Sequence, residues 1–425
     1  MSKVRDAGVP AQQTRRVWLK SASALAAWSA MGSMAATPSQ PAARAQAKSA
    51  AQTRAQSGKP LFAYVGTYTP NGLGIHRFRV DRATGKLDAL EPQRGIENPS
   101  ALLVDPQQRF LFAVSEVKNY NGTTNGSVSA YTIEQGTGAL QLINTVDSQG
   151  AGPVFLSLHP NGRFLMVANY NSGSVAVLPV AVDGVLGDAC SVQRPQAPAG
   201  AQHAAEGVPG SFAISDHDGP HAHTIVPSPD GRFAISTDLG VDRTYVWKFD
   251  ATTGALSPGD PPFVVASAGA GPRHLAFHPN GRYLYEVTEE ASTLVFYEYD
   301  AGAGALTQRQ SVSTLPPGYQ GTSFVSEIVL SNDGRFVYVA NRLHDTIVQF
   351  RIAGDGHVER LHEVSTGGDY PRVIRFDPSG RFLYALNQRS DHIAIFAADA
   401  ASGKLRFTDT YVGVGSPSDI VFASV

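Results

Sequence analysis

Six residues of this 425-residue chain have side chains that can grip an anion and move a proton: His221, His223, Arg273, His274, Glu289 and Arg342. A carboxylate or a neutral imidazole can accept a proton. A guanidinium can set two donors on a carboxylate, a phosphate or a developing oxyanion. Arg273 and His274 are adjacent, and His221-x-His223 falls on one side of an extended strand. Glu289 has two acidic neighbours, Glu286 and Glu290, which strand alternation puts on the opposite side. The chain contains no Gly-x-Ser-x-Gly elbow, which argues against a serine-hydrolase route. The single cysteine, Cys190, excludes an internal disulfide and a Cys-rich metal site.

These six residues are set apart by a repeat that they interrupt. A Gly-Arg-aromatic turn, or a close variant, recurs at Arg109, Arg163, Arg232, Arg282, Arg335 and Arg381, a spacing of about 54 residues. Because these arginines occur in every copy, they read as architecture. His159 and His278 take the place of Asp or Ser before Pro in the same turn and read the same way. A second signature, Asp-x-x-Thr-Gly-x-Leu or a relative, occurs seven times between Asp81 and Leu405. Each unit holds about four short runs of alternating apolar character, and none shows helical periodicity. The expected fold is therefore all-β, a seven-bladed β-propeller of four-stranded antiparallel blades over residues 60–425. Only six turns accompany seven hairpins because the ends share a blade. Ser416–Phe422 resembles the start of a unit and Leu61–Gly66 the strand that follows it, so the C-terminus supplies the inner strand and the N-terminus the other three.

That topology gathers the starts of the inner strands and the ends of the second strands around one channel mouth. Asp238, Glu327, Asn341 and Arg372 join the six there and, with His274, are the expected substrate contacts, although Asn after a strand is also common turn chemistry. The longest interval between turns, Arg163 to Arg232, leaves an extra segment of about Gln193 to Gly219 that could form a lid or wall on this face.

With 42 Gly, 27 Pro and 16% charged residues, the composition is that of a turn-rich globular protein. A net charge of −2 argues against nucleic-acid or anionic-membrane partners. Residues 1–47 read as an export signal. Thr14-Arg15-Arg16-Val17-Trp18-Leu19-Lys20 is similar to a twin-arginine motif, and an Ala-rich run with small-residue cleavage candidates at Ala45 and Ala47 follows it. The run is too short and too interrupted for a retained membrane anchor. The expected partner is the twin-arginine export machinery and the expected location periplasmic or secreted. Residues 48–59 read as a flexible linker.

The chain resembles the seven-bladed lactonase family that includes the propeller-type 6-phosphogluconolactonases and the carboxy-muconate cyclising enzyme. The resemblance is carried by Tyr64-Val65-Gly66-Thr67-Tyr68-Thr69, Gly219-Pro220-His221-Ala222-His223, Asp238-Leu239-Gly240-Val241-Asp242-Arg243, Gly271-Pro272-Arg273-His274, Ser326-Glu327-Ile328 and Asn341-Arg342-Leu343-His344-Asp345. It spans residues 61–425. It implies hydrolysis of a sugar lactone, with His221 or His223, Arg273, Glu289 and Arg342 as the catalytic group and with neither metal nor cofactor. Opening a lactone needs an activated water and a stabilised oxyanion, which these residue types supply. Cyclisation of a muconate-type diacid and non-catalytic binding of a sugar acid or a protein are the alternatives. Export points to an unphosphorylated lactone, because sugar phosphates are scarce outside the cytoplasm.

Overall fold

The computed structural model describes residues 58–208 and 217–425. The expected signal peptide, and the linker except for its last two residues, lie outside the described residues, as does the 209–216 stretch of the long insertion. Among the described residues no helix is long and apolar enough to cross a membrane.

Seven antiparallel sheets of four strands each make up the protein. Blade 1 is ordered Pro417–Ser424, Leu61–Thr67, Ile75–Val80, Leu87–Gln93, so the C-terminal strand is innermost and the N-terminal segment supplies the rest, as expected. The innermost strands of blades 2 to 7 are Leu102–Val104, Pro153–Leu158, Ala222–Pro227, Pro272–Phe277, Phe324–Leu330 and Pro371–Phe376. Each touches the innermost strand of the next blade, and the ring closes without a break.

The second strands differ from the expected alternation. Leu61–Thr67, Phe110–Ser115, Phe164–Asn169, Phe233–Asp238, Tyr283–Thr288, Phe336–Arg342 and Phe382–Asn387 are buried at every position. Each lies in a sheet packed on both faces by neighbouring blades, so both sides of the strand are buried. The outermost strands are largely solvent-facing; in Leu87–Gln93 only Leu87 is buried.

The two repeated signatures meet at the seams between blades, except between blades 1 and 2, where blade 1 has no Arg-aromatic turn and Phe62 lies against Gly138. At the closing seam Arg381 donates to the carbonyl of Arg82, the Phe382 ring lies against Gly85, and the Tyr384 hydroxyl donates to Gly85 O at 2.7 Å. Gly85 has φ +74°, and a Cβ there would come within 2.6 Å of the Phe382 ring, so only glycine fits. The same tyrosine-to-glycine bond joins Tyr64 to Gly138, Tyr285 to Gly356 and Tyr338 to Gly403. His159 and His278 serve the seams too, each reaching a carbonyl of the next blade, Gly231 and Gly334.

Candidate active site

One backbone irregularity aims the polar residues of the mouth. In six blades the register between the first and second strands slips at the start of the innermost strand, and one residue is left over. The extra residues are Val154, His223, Arg273, Ser326, Arg372 and Ser418. Such a bulge turns its side chain away from the strand's alternation, which puts His223, Arg273 and Arg372 at the same position of blades 4, 5 and 7. A second set, one residue past the clasp at the end of each second strand, contributes Tyr68, Glu116, Tyr170, Glu289 and Arg342 from blades 1, 2, 3, 5 and 6.

The centre of the site is an arginine–carboxylate–arginine triad. Glu289 Oε2 lies 2.7 Å from Arg273 Nε and 2.7 Å from Arg342 Nη2. All three side chains are buried. Burial alone would push the Glu289 carboxyl up, but the Arg342 and Arg273 guanidiniums outweigh it and hold the group below its usual range. Arg273 is pushed down to about 10, first by burial and then by repulsion from Arg342, and stays charged at neutral pH. Arg273 Nη1 also donates to Ser326 O. Arg342 donates to Val325 O at 3.0 Å and to the Tyr370 hydroxyl at 3.1 Å. Glu289 Oε1 accepts no hydrogen bond among the described residues.

His223 faces this triad. Its ring meets those of His274 and Tyr170 edge-on, with centroids 4.9 and 5.5 Å apart. Burial, and then the charges of Arg273 and Arg372, drive its pKa well below the ordinary imidazole value, so it is neutral at physiological pH. His221 is held apart, its Nδ1 3.0 Å from Tyr170 O and its Nε2 2.8 Å from Asp218. Of the two histidines, His223 is the one brought to the arginines.

Arg372 differs from the other two arginines in its freedom. Its guanidinium stacks over the Tyr68 ring at 5.0 Å, and its nearest carboxylate oxygen, Glu116 Oε2, is 3.9 Å away, beyond hydrogen-bond reach. Among the described residues it donates no hydrogen bond. Glu116 Oε2 instead accepts from the Tyr68 hydroxyl at 2.6 Å.

The remaining expected contacts lie below or behind the mouth. Arg273 Nη1 donates to His274 Nε2 at 3.4 Å, which leaves the His274 proton on Nδ1, 2.9 Å from Glu327 Oε1. Burial pushes His274 down to about 4. Glu327 Oε2 is 3.7 Å from Arg375, which pairs at 3.2 Å with Asp419, whose other oxygen accepts the Leu102 N–H. This belt crosses blades 5, 6, 7, 1 and 2, and His274 packs on Phe155 of blade 3, ring centroids 5.3 Å apart. His274 and Glu327 thus floor the site beneath Arg273.

Asn341 and Asp238 are clasps at strand ends. Fully buried Asn341 donates to Thr314 O and Thr346 and accepts from Thr314 Oγ1. Asn169 and Asn387 make the matching bond to Ser148 O and Thr366 O. Asp238 accepts the His221 N–H at 2.7 Å, and burial raises it to about 6. Asn341 thus ties the end of its strand to Thr346 of its own blade and to Thr314 at the end of blade 5, and Asp238 Oδ1 holds the start of the innermost strand of its own blade. The described parts of the long insertion run along the mouth-side loops as a wall: Gly200 N donates to Gly240 O, Ala205 N to Ala268 O, and Arg194 to Gln149 O.

Tyr68, Glu116 and Tyr170 fall on the expected mouth ring, but their residue types gave no reason to choose them. Tyr370, which holds Arg342, directly precedes the Pro that opens its innermost strand, where other blades have Gly152, Gly271 and Ser416.

A family profile described as "Lactonase, 7-bladed beta-propeller" matches residues 62–422. The chain is 33% identical over 362 residues to a protein named 6-phosphogluconolactonase from Bacillus subtilis (strain 168), covering 84% of this chain and 97% of that one. Among solved structures, the periplasmic gluconolactonase of Pseudomonas aeruginosa superimposes with a TM-score of 0.77 at 35% identity, over 86% of this chain and 99% of that one. A putative 6-phosphogluconolactonase from Bacteroides fragilis follows at 0.76 and 28%, over 86% and 99%.

Proposed function

The chain belongs to the seven-bladed β-propeller lactonase family, and on that premise we propose that it hydrolyses a sugar lactone at the mouth built by Glu289, Arg273, Arg342, Arg372 and His223. The observation that carries this reading is the state of Glu289. Two arginines grip one of its oxygens and keep it ionised, while the other oxygen is unengaged and available to a water.

In this reading the lactone carbonyl oxygen takes hydrogen bonds from Arg372, whose donors are free. Glu289 Oε1 removes a proton from the attacking water as the new C–O bond forms, and Arg372 holds the oxyanion. Collapse of the tetrahedral intermediate breaks the bond to the ring oxygen, which takes the proton from Glu289. The product is an open hydroxy acid, which loses its own proton to solvent. Neutral His223 hydrogen-bonds the substrate without adding charge. The Arg273–Glu289–Arg342 triad, set on rigid strand ends, keeps the base in place. No step needs a metal, and three guanidiniums around one opening repel a cation.

The names of the Bacillus subtilis and Pseudomonas aeruginosa relatives support a sugar lactone as substrate. The latter, together with Arg15-Arg16, supports a location outside the cytoplasm after twin-arginine export.

The test is proton release on glucono-1,5-lactone and its 6-phosphate, with and without chelator, against the spontaneous rate. Arg273→Ala and Glu289→Gln are measured in parallel. Chelator-resistant acceleration that both substitutions abolish is the expected result. No acceleration on either lactone would overturn the reading and favour a muconate-type cyclase, in which the arginines hold two carboxylates, or a binding protein. Activity that survives both substitutions would place the site elsewhere.

A further inference from the structure

His223, Arg273, Glu289 and Arg342 sit on blades 4 to 6, whereas Tyr68 and Glu116 come from blades 1 and 2 across the channel. Arg372 of blade 7 stands between them: both Glu116 and Glu289 act electrostatically on its guanidinium. A lactone whose carbonyl lies at Arg372 would have Glu116, whose Oε2 is 3.9 Å from that guanidinium, and its partner Tyr68 within reach of the rest of its ring.

The chemistry of that far wall is specific. The Tyr68 hydroxyl fixes Glu116 Oε2 at 2.6 Å. Oε1 accepts nothing among the described residues, and the Glu116 side chain keeps about 23% exposure. A fixed carboxylate with one unengaged oxygen is an acceptor for a sugar hydroxyl. It also repels a phosphate in the same place, and the repulsion is strong where water is partly excluded. Arg372, the arginine beside Glu116, is committed to the carbonyl end, and Arg273 and Arg342 are held by Glu289.

We infer that Glu116, held by Tyr68, is the residue that sets the substrate class at this mouth, accepting the terminal hydroxyl of an unphosphorylated aldonolactone and excluding its phosphate ester. The inference rests on the lactonase reading for the orientation of the ligand. The carboxylate is a specificity residue and takes no part in proton transfer.

Binding and turnover test the two ideas separately. The dissociation constants of gluconate and 6-phosphogluconate, the ring-opened acids, are measured by titration calorimetry on the mature protein and on Glu116→Gln and Glu116→Asp. Hydrolysis of the two lactones is followed on the same samples. The wild type is expected to bind gluconate more tightly than its 6-phosphate. Glu116→Gln, nearly isosteric but uncharged, should move the ratio of the two constants toward the phosphate by roughly tenfold or more. Glu116→Asp keeps the charge and should keep the preference, which a merely structural role for Glu116 would not require. A ratio unchanged in Glu116→Gln, a wild type that prefers the phosphate, or binding of neither acid would each overturn the inference. Absence of hydrolysis with the binding pattern intact would overturn only the lactonase reading.

Discussion

Arg342 Nη2 lies 2.7 Å from Glu289 Oε2 although the two side chains belong to different blades. Arg273, from the same blade as Glu289, completes the triad at the same distance. The ionisation of the candidate base is thus set by the seam between blades 5 and 6. Replacing Arg342 with Ala leaves a buried carboxylate with a single partner, so its pKa must rise. Loss of about a hundredfold in kcat/KM is expected, with an acid limb displaced toward neutrality. A pH–rate profile of Arg342→Ala matching the wild type in shape would contradict this role for the pair.

The wild-type profile should lack the inflection that a histidine base of ordinary pKa would give. Burial and the arginine charges keep His223 neutral, and the arginines keep Glu289 ionised despite its burial. Both groups therefore hold their working state from neutral pH down through the usual imidazole range, and kcat/KM should stay flat there and fall only in more acidic solution. The pH-stat measurement that gives proton release provides the profile. A limb near the ordinary imidazole value would indicate that a histidine titrates during turnover.

Glu286 tests the interior between blades 4 and 5. Its carboxylate accepts from the Thr244 hydroxyl, and burial raises it to about 7. An acid whose pKa is raised in the folded state stabilises less as pH climbs. Its contribution is best below the unfolded carboxyl value and declines up to about pH 7, a cost on the order of 3 kcal/mol by linkage. Glu286→Gln should accordingly raise Tm at pH 8 relative to wild type and do so less at pH 5. Equal shifts at both pH values would show that the side chain is already uncharged in both.

The closing seam depends on Gly85. Alanine there is strained by the positive φ and drives its methyl into the Phe382 ring. Destabilisation by about 2–4 kcal/mol is expected, visible as a lower midpoint in denaturant unfolding. A midpoint like that of the wild type would mean that Phe382 yields without cost.

Blade number and closure were legible in the sequence because six of the seven seams repeat one contact, an Arg-aromatic turn against a Thr-Gly hairpin or its relative. The terminal halves of blade 1 could be matched to that unit. Of the six repeat-breaking residues, His223, Arg273, Glu289 and Arg342 come together, His221 is held apart by Asp218 and His274 lies beneath Arg273, while two further choices, Asn341 and Asp238, clasp strand ends. Position alone cannot separate a side chain that lines a cavity from one that faces its own blade. The bulges that aim His223, Arg273 and Arg372 were equally hidden, since a one-residue register slip leaves no mark on residue types. Glu116 and Tyr68 are ordinary residues until the ring sets them opposite the arginines.

The innermost strand of blade 1 is the last in the chain, and it carries Asp419. Asp419 holds Arg375, Arg375 leans on Glu327, and Glu327 fixes the His274 tautomer beneath Arg273. Four successive contacts thus tie the last strand to Arg273. Trimming that strand would do more than loosen the ring: it would unseat the floor of the mouth, so an incompletely closed propeller would be a silent one.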